Sequence, residues 1–85
     1  MESVRFTRGS RKHRIGKASA NHVMETAQPR YVEPEAVPGR PRPDIRVVWI
    51  GNDERGRELE IVAVQLSDYL LVIHVMPTAL RRRHR

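Results

Sequence analysis

Eighty-five residues carry 16 Lys and Arg against 10 Asp and Glu, a formal net charge of +6, and no cysteine. A chain this short buries only ~60% of its unfolded surface, so it makes one domain of marginal stability and commonly leans on a partner. Without cysteine, disulfides and thiolate metal sites are excluded and a reducing, cytoplasmic setting is the expectation; no apolar stretch approaches the ~18 residues of a membrane span, so no membrane association is expected.

The opening "MESVRFTRGS" lacks the apolar run of a secretory leader. Within it Val4 and Phe6 alternate with Arg5, which suggests an edge strand. Ser10 can cap a short helix over "SRKHRIG", because its hydroxyl can accept from a free amide of the first turn, and Gly16 ends it. A second helix reads through "KASANHVMETA": Ala20, Val23, Met24 and Ala27 recur at helical spacing, and Pro29 stops it. Residues 31–44, "YVEPEAVPGRPRPD", hold four prolines and a glycine and read as a loop, ordered in part.

Beyond that loop the period changes to two. "IRVVWIG", "ELEIVAVQL" and "LLVIHVM" read as three strands joined by the polar turn "NDERGR" and the tight turn "SDY". Such short links favour antiparallel neighbours. The predicted fold is α+β, a β-α-α-β-β-β meander with two N-terminal helices packed on a small antiparallel sheet. It forms a single domain over 1–85, with the Pro-rich loop at 31–44 and a basic tail at 81–85. Strict alternation puts Leu71, Ile73 and Val75 on one face of the last strand and Leu70, Val72, His74 and Met76 on the other. On the strand before it, Leu59, Ile61 and Ala63 oppose Glu58, Glu60, Val62 and Val64; on the first of the three, Ile45, Val47 and Trp49 oppose Arg46, Val48 and Ile50.

The charge is unevenly spread. Residues 1–30 hold seven Lys/Arg and two Glu, net +5; residues 31–80 hold five Arg and eight acids, net −3; residues 81–85 hold four Arg, net +4. If the two basic ends meet in the fold they make one positive face, attractive to polyanions and to nucleic acid first. The plain alternative is a solubilising surface with a loose Arg tail.

The stretches "RFTRGSRKHRIG", "VVWIGNDERGRELEIVAV" and "LLVIHVMPTALRRR" together resemble the toxins of type II toxin–antitoxin pairs, the RelE/ParE-like superfamily, and within it the BrnT-like group. The shared layout covers roughly residues 4–83: an early basic helix, a hairpin with a polar Gly turn, then a strand that ends in a small polar residue and an Arg run. The resemblance implies a ribonuclease that blocks translation, held inactive by a cognate acidic antitoxin. It implies RNA as substrate, on or off the ribosome, and a hetero-oligomer with the antitoxin, while the edge strand "VRFT" invites pairing into a homodimer. The group's working residues carry over as Arg11, Lys12, His13 and Arg14 near the start and as His74, Thr78 and Arg81 near the end. The long Pro-rich loop and the very short early helix depart from the group's pattern.

Metal-free RNA cleavage needs a base for the 2′-hydroxyl proton, cations for the phosphorane and an acid for the leaving oxygen. Histidine suits the first and last, and arginine suits the phosphate through its planar fork. The catalytic candidates are therefore His13, His74 and Arg81. The RNA-binding candidates are Arg11, Lys12, Arg14, Thr78, Arg82 and Arg83, with Thr78 also placed to cap a last helix over "TALRRR". Each has a structural rival: His13 as part of a solvated surface helix, His74 as a half-buried hydrogen-bonded strand residue. His22 reads as surface and His84 as part of the tail.

Trp49 reads as core before it reads as a base-stacking platform, while Tyr69 at a turn can be exposed. The histidine spacing fits no metal site, and no cofactor is expected. Two other functions stay open: a non-catalytic RNA- or ribosome-binding module, and a toxin-fold protein acting on a protein target such as gyrase.

Overall fold

The structure, a computed structural model, describes residues 3–83. Strand β1 (Ser3–Phe6) leads into a 3-10 turn at Gly9–Arg11 and helix α1 (Lys17–Thr26). Strands β2 (Arg30–Val32), β3 (Arg46–Asn52), β4 (Glu58–Gln65) and β5 (Tyr69–Pro77) follow, and helix α2 (Thr78–Arg83) ends the described chain. The five strands form one mixed sheet in the order β1-β5-β4-β3-β2. Strands β2 to β5 pair antiparallel, and β1 pairs parallel to β5 with Phe6 against Val72.

The expected pair of N-terminal helices on an antiparallel meander is therefore corrected. One helix, α1, packs on the sheet, and the sheet is five-stranded and mixed. The predicted first helix collapses to three residues for a local reason. Arg11, Lys12 and Arg14 crowd like charges into one turn with no acid to offset them, and Arg14 takes φ +58, which a right-handed helix cannot contain. Ser10 is not its cap. The roles are reversed: the Thr7 hydroxyl accepts from the Ser10 amide at 3.1 Å, and the buried Ser10 hydroxyl donates to the Thr7 carbonyl at 2.7 Å.

Helix α1 matches its expected span closely. Extended Gly16 supplies the carbonyl for its first bond, from the Ala20 amide at 3.2 Å, and extended Ala27 followed by Pro29 closes it. Ala20 and Val23 are buried from its inner stripe, with Met24 and Ala27 packed at the margin. The stripe lies over β3 and β4, on the face that carries Val47, Trp49, Leu59, Ile61 and Ala63. Burying a side chain of that size contributes ~1.5–3 kcal/mol. Strand β2 is an addition: "RYV" pairs with β3 at the start of the stretch expected to be loop.

The last strand carries the largest departure. Its register steps from Val72 against Ala63 to His74 against Val62, so Ile73 is an extra residue, a β-bulge. The bulge resets the alternation. Val72 and Val75, three apart, both face the core and are 0% and 2% exposed, whereas strict alternation put them on opposite faces.

Candidate nucleic-acid interface

Parallel pairing of β1 with β5 has a topological result. Strand β1 ends beside Val72, midway along β5, and the chain turns there into the first basic run, whereas β5 continues to Pro77 before α2. The Thr7 amide donates to the Val72 carbonyl at 3.0 Å and so fixes where the first run begins. Tight turns then wind it: Arg11 N to Arg8 O at 3.2 Å, Lys12 N to Gly9 O at 3.3 Å, and Arg14 N to Arg11 O at 3.0 Å. Buried Ser10 and Ile15 pin this segment to the core.

The turns draw the cations around a shallow concavity lined by Phe6, Thr7, Arg8, Arg11, Lys12 and Arg14, with no acid among them. The four cations are exposed. Arg14 occupies the left-handed region at φ +58, where a side chain other than Gly or Asn costs ~1–2 kcal/mol. Lys17 lies over the Phe6 ring, 5.6 Å from its centroid, so the apolar floor is itself edged by positive charge. Arg11, Lys12 and Arg14 thus fall together as expected. Arg8 was missed: Gly9 separates it from the cluster in sequence, yet the 3-10 turn that begins at Gly9 folds it back beside Arg11.

His13 is half-buried next to this concavity, and its ring is not part of the lining. His74 does not join it. The side chain projects from the opposite face of β5, where Nε2 lies 3.3 Å from Oε1 of Glu60, without hydrogen-bond geometry. Glu60 and His74 are 12% and 31% exposed. His74 and the early basic cluster lie on opposite sides of the sheet, so these two parts of the set that the resemblance carried over are not brought together. Thr78 begins α2, and its hydroxyl bonds across to β4, donating to the Glu58 carboxylate at 2.7 Å. Arg81, Arg82 and Arg83 continue α2; their side chains, and His84, lie outside what the structure describes.

The aromatic residues divide. Trp49 is core, 5% exposed. Tyr69 is half-buried with the Arg5 guanidinium over its ring at 4.3 Å, so its face is already occupied.

The β3–β4 turn holds a polar network. Buried Asp53 accepts from the amides of Arg55 and Arg57, each at 2.9 Å, and from the Arg57 guanidinium at 2.9 Å. Burial pushes the Asp53 carboxyl up, but the hydrogen bonds from Arg57 and Arg55 outweigh it and hold the group below its usual range. Next to it Glu54 accepts from the Ser19 hydroxyl of α1, and that bond is the main reason its carboxyl is also lowered. This network joins the helix to the hairpin. It reads as architecture.

Among the described residues no three or more His, Asp or Glu side chains gather as a metal site, and no helix is long and apolar enough to cross a membrane. In comparisons with family models, with curated proteins and with solved structures, nothing matched this chain.

Proposed function

We propose that this protein is an RNA-directed toxin of the type II toxin–antitoxin kind, a metal-independent ribonuclease that blocks translation. The observation that supports the reading is the concavity of Arg8, Arg11, Lys12 and Arg14, an all-cationic surface held in place by buried Ser10 and Ile15. Phosphates sit against the guanidinium forks, whose parallel charged hydrogen bonds match phosphate oxygens. His13, at the margin of that surface, takes the 2′-hydroxyl proton as that oxygen attacks phosphorus, and a solvent water protonates the 5′-oxygen as its bond to phosphorus breaks. His74 has no part in the chemistry on this reading.

One observation favours a second reading. The lining of the concavity contains no histidine, which is what a non-catalytic RNA- or ribosome-binding module needs. Induced expression separates the two. The wild-type chain, His13→Ala and His74→Ala are expressed side by side, with growth and total RNA followed. The ribonuclease reading expects arrest with fragmented RNA for wild type and His74→Ala, and neither for His13→Ala. Arrest with intact RNA would move the assignment to the binding module or to a protein target.

A further inference from the structure

Residues 8–17 hold Arg8, Arg11, Lys12, Arg14 and Lys17 and no acid. Arg8, Arg11, Lys12 and Arg14 are exposed around one concavity, and none of them makes an ion pair among the described residues. Successive tight turns gather them about a centre instead of setting them out in a row. Like charges held together repel, and Arg14 adds the strain of a left-handed φ. Strain of this kind clusters at ligand clamps. The cluster is also bounded. Arg5, the preceding cation, lies on the other face of the sheet with its guanidinium over Tyr69, and α2 starts only after Pro77, beyond the place where β1 ends. Lys17 stands over the Phe6 ring, so a cation and not a base meets the aromatic face of the lining. Thr7 Oγ1 accepts from the Ser10 amide at 3.1 Å, and its own hydrogen can turn outward to a phosphate oxygen.

We infer that this concavity receives a compact polyphosphate, the triphosphate chain of a nucleotide or of an RNA 5′ end, without regard to the base. A run of phosphodiesters brings one charge per nucleotide and is matched by cations laid along a line. A triphosphate brings about three to four charges in a single group, which is what a closed cluster of cations matches. The Arg8, Arg11 and Arg14 forks suit its paired oxygens, and Lys12 adds a point charge. No carboxylate in the lining competes with the phosphates. The inference rests on the proposed function for the phosphate affinity of this surface and not for cleavage; it adds which phosphate is preferred.

The test measures binding to the full chain by fluorescence anisotropy in EDTA. The probes are a 2′-O-methyl oligoribonucleotide, which its own 2′-oxygen cannot cleave, with a 5′-triphosphate or a 5′-hydroxyl. The competitors are inorganic tripolyphosphate, ATP, GTP, CTP, UTP and a Glu-rich peptide. The triphosphorylated probe should bind at least ~10-fold more tightly than its 5′-hydroxyl twin, as added charged hydrogen bonds require. Tripolyphosphate and all four nucleotides should displace it to a similar degree. Arg8→Ala and Arg11→Ala, with circular dichroism confirming the fold, should each weaken it at least ~10-fold. Arg46→Ala, the same charge change at an exposed position on the opposite face, should not. Saturable binding of tripolyphosphate and nucleotides with no gain for the RNA 5′ end would support the site and make free nucleotide its source. Equal binding of the two RNA probes with no displacement by tripolyphosphate would overturn the inference and leave the RNA reading standing. Tripolyphosphate binding with neither RNA bound would support the inference and sink the RNA reading. Displacement by the Glu-rich peptide as strong as by tripolyphosphate, or equal weakening by Arg46→Ala, would overturn it in favour of diffuse charge attraction. A preference for one of the four nucleotides would overturn recognition by phosphate alone.

Discussion

Gly51→Ala is the sharpest test of how α1 is seated on the sheet. Gly51 lies on β3, and a Cβ built there would stand 2.8 Å from the Cβ of Ala27 and 3.6 Å from Cγ1 of Val23. The first distance lies inside van der Waals contact, and the obstructing atom is not the tip of a flexible side chain. Ala27 closes α1, its amide donating to the Val23 carbonyl at 2.8 Å, so its Cβ moves only if the end of the helix moves. Tilting that end away from β3 would also loosen Val23, which is 0% exposed. Overpacking of this kind costs ~1–3 kcal/mol. Replacing glycine in a strand by alanine returns ~0.5–1 kcal/mol by reducing the freedom of the unfolded chain. The net expectation is a loss of ~1–2 kcal/mol, a fall of about 5–15 °C in Tm for a domain of this size.

Thermal and urea unfolding followed by circular dichroism measure it. The control is Ala27→Gly in the same background, which removes the opposing Cβ and should recover most of the loss, giving a favourable coupling in a double-mutant cycle. An unchanged midpoint for Gly51→Ala, or no recovery in the double variant, would refute the packing argument.

The bulge in β5 predicts that Val72→Ala, at a fully buried position, costs ~2 kcal/mol or more, while Ile73→Ala costs clearly less; chemical denaturation ranks them, and the reverse order would mean that the strand keeps strict alternation. Arg14→Gly relieves a positive φ, so it should leave Tm unchanged or raise it, and it should weaken binding to single-stranded RNA with a salt slope shallower by about one. A fall in stability together with unchanged binding would show Arg14 to be structural. Asp53 and Glu54 have folded-state carboxyls held below their ordinary values of 3.8 and 4.5. The sign follows directly: the stability they contribute is present above those values and is lost as pH falls through the lowered folded-state values. Acid unfolding monitored by tryptophan emission should therefore begin as the pH drops through the carboxylate range. Asp53→Asn with Glu54→Gln should flatten that dependence, and an unaltered acid limb would show that other groups control it.

Local rules sufficed for what depends on local chemistry. Helix α1 announced itself through the spacing of Ala20, Val23 and Ala27 and through Pro29, because an amphipathic stripe and a residue lacking an amide act over one or two turns. Strands β3, β4 and β5 followed from period-two patterning. Trp49 fell in the core, and Arg11, Lys12 and Arg14 stayed together because they are neighbours in the chain. The remainder was decided by contacts between distant residues.

Nothing in "SVRF" says that β1 will lie parallel to β5, since that pairing joins the two ends of the chain and its benefit appears only when the sheet is complete. "RYV" is too short to read as a strand, and it becomes one because β3 offers it an edge. The extra residue at Ile73 has no local mark, because a bulge is defined by the register of the partner strand. That one residue exchanged the faces of His74, Val75 and Met76 relative to Leu71 and Val72, and so set His74 beside Glu60, away from the early basic cluster. Sequence fixes which side chains are present and how they repeat; the side of the sheet on which each one acts is set by pairing across the fold, where a shift of one residue exchanges inside for outside.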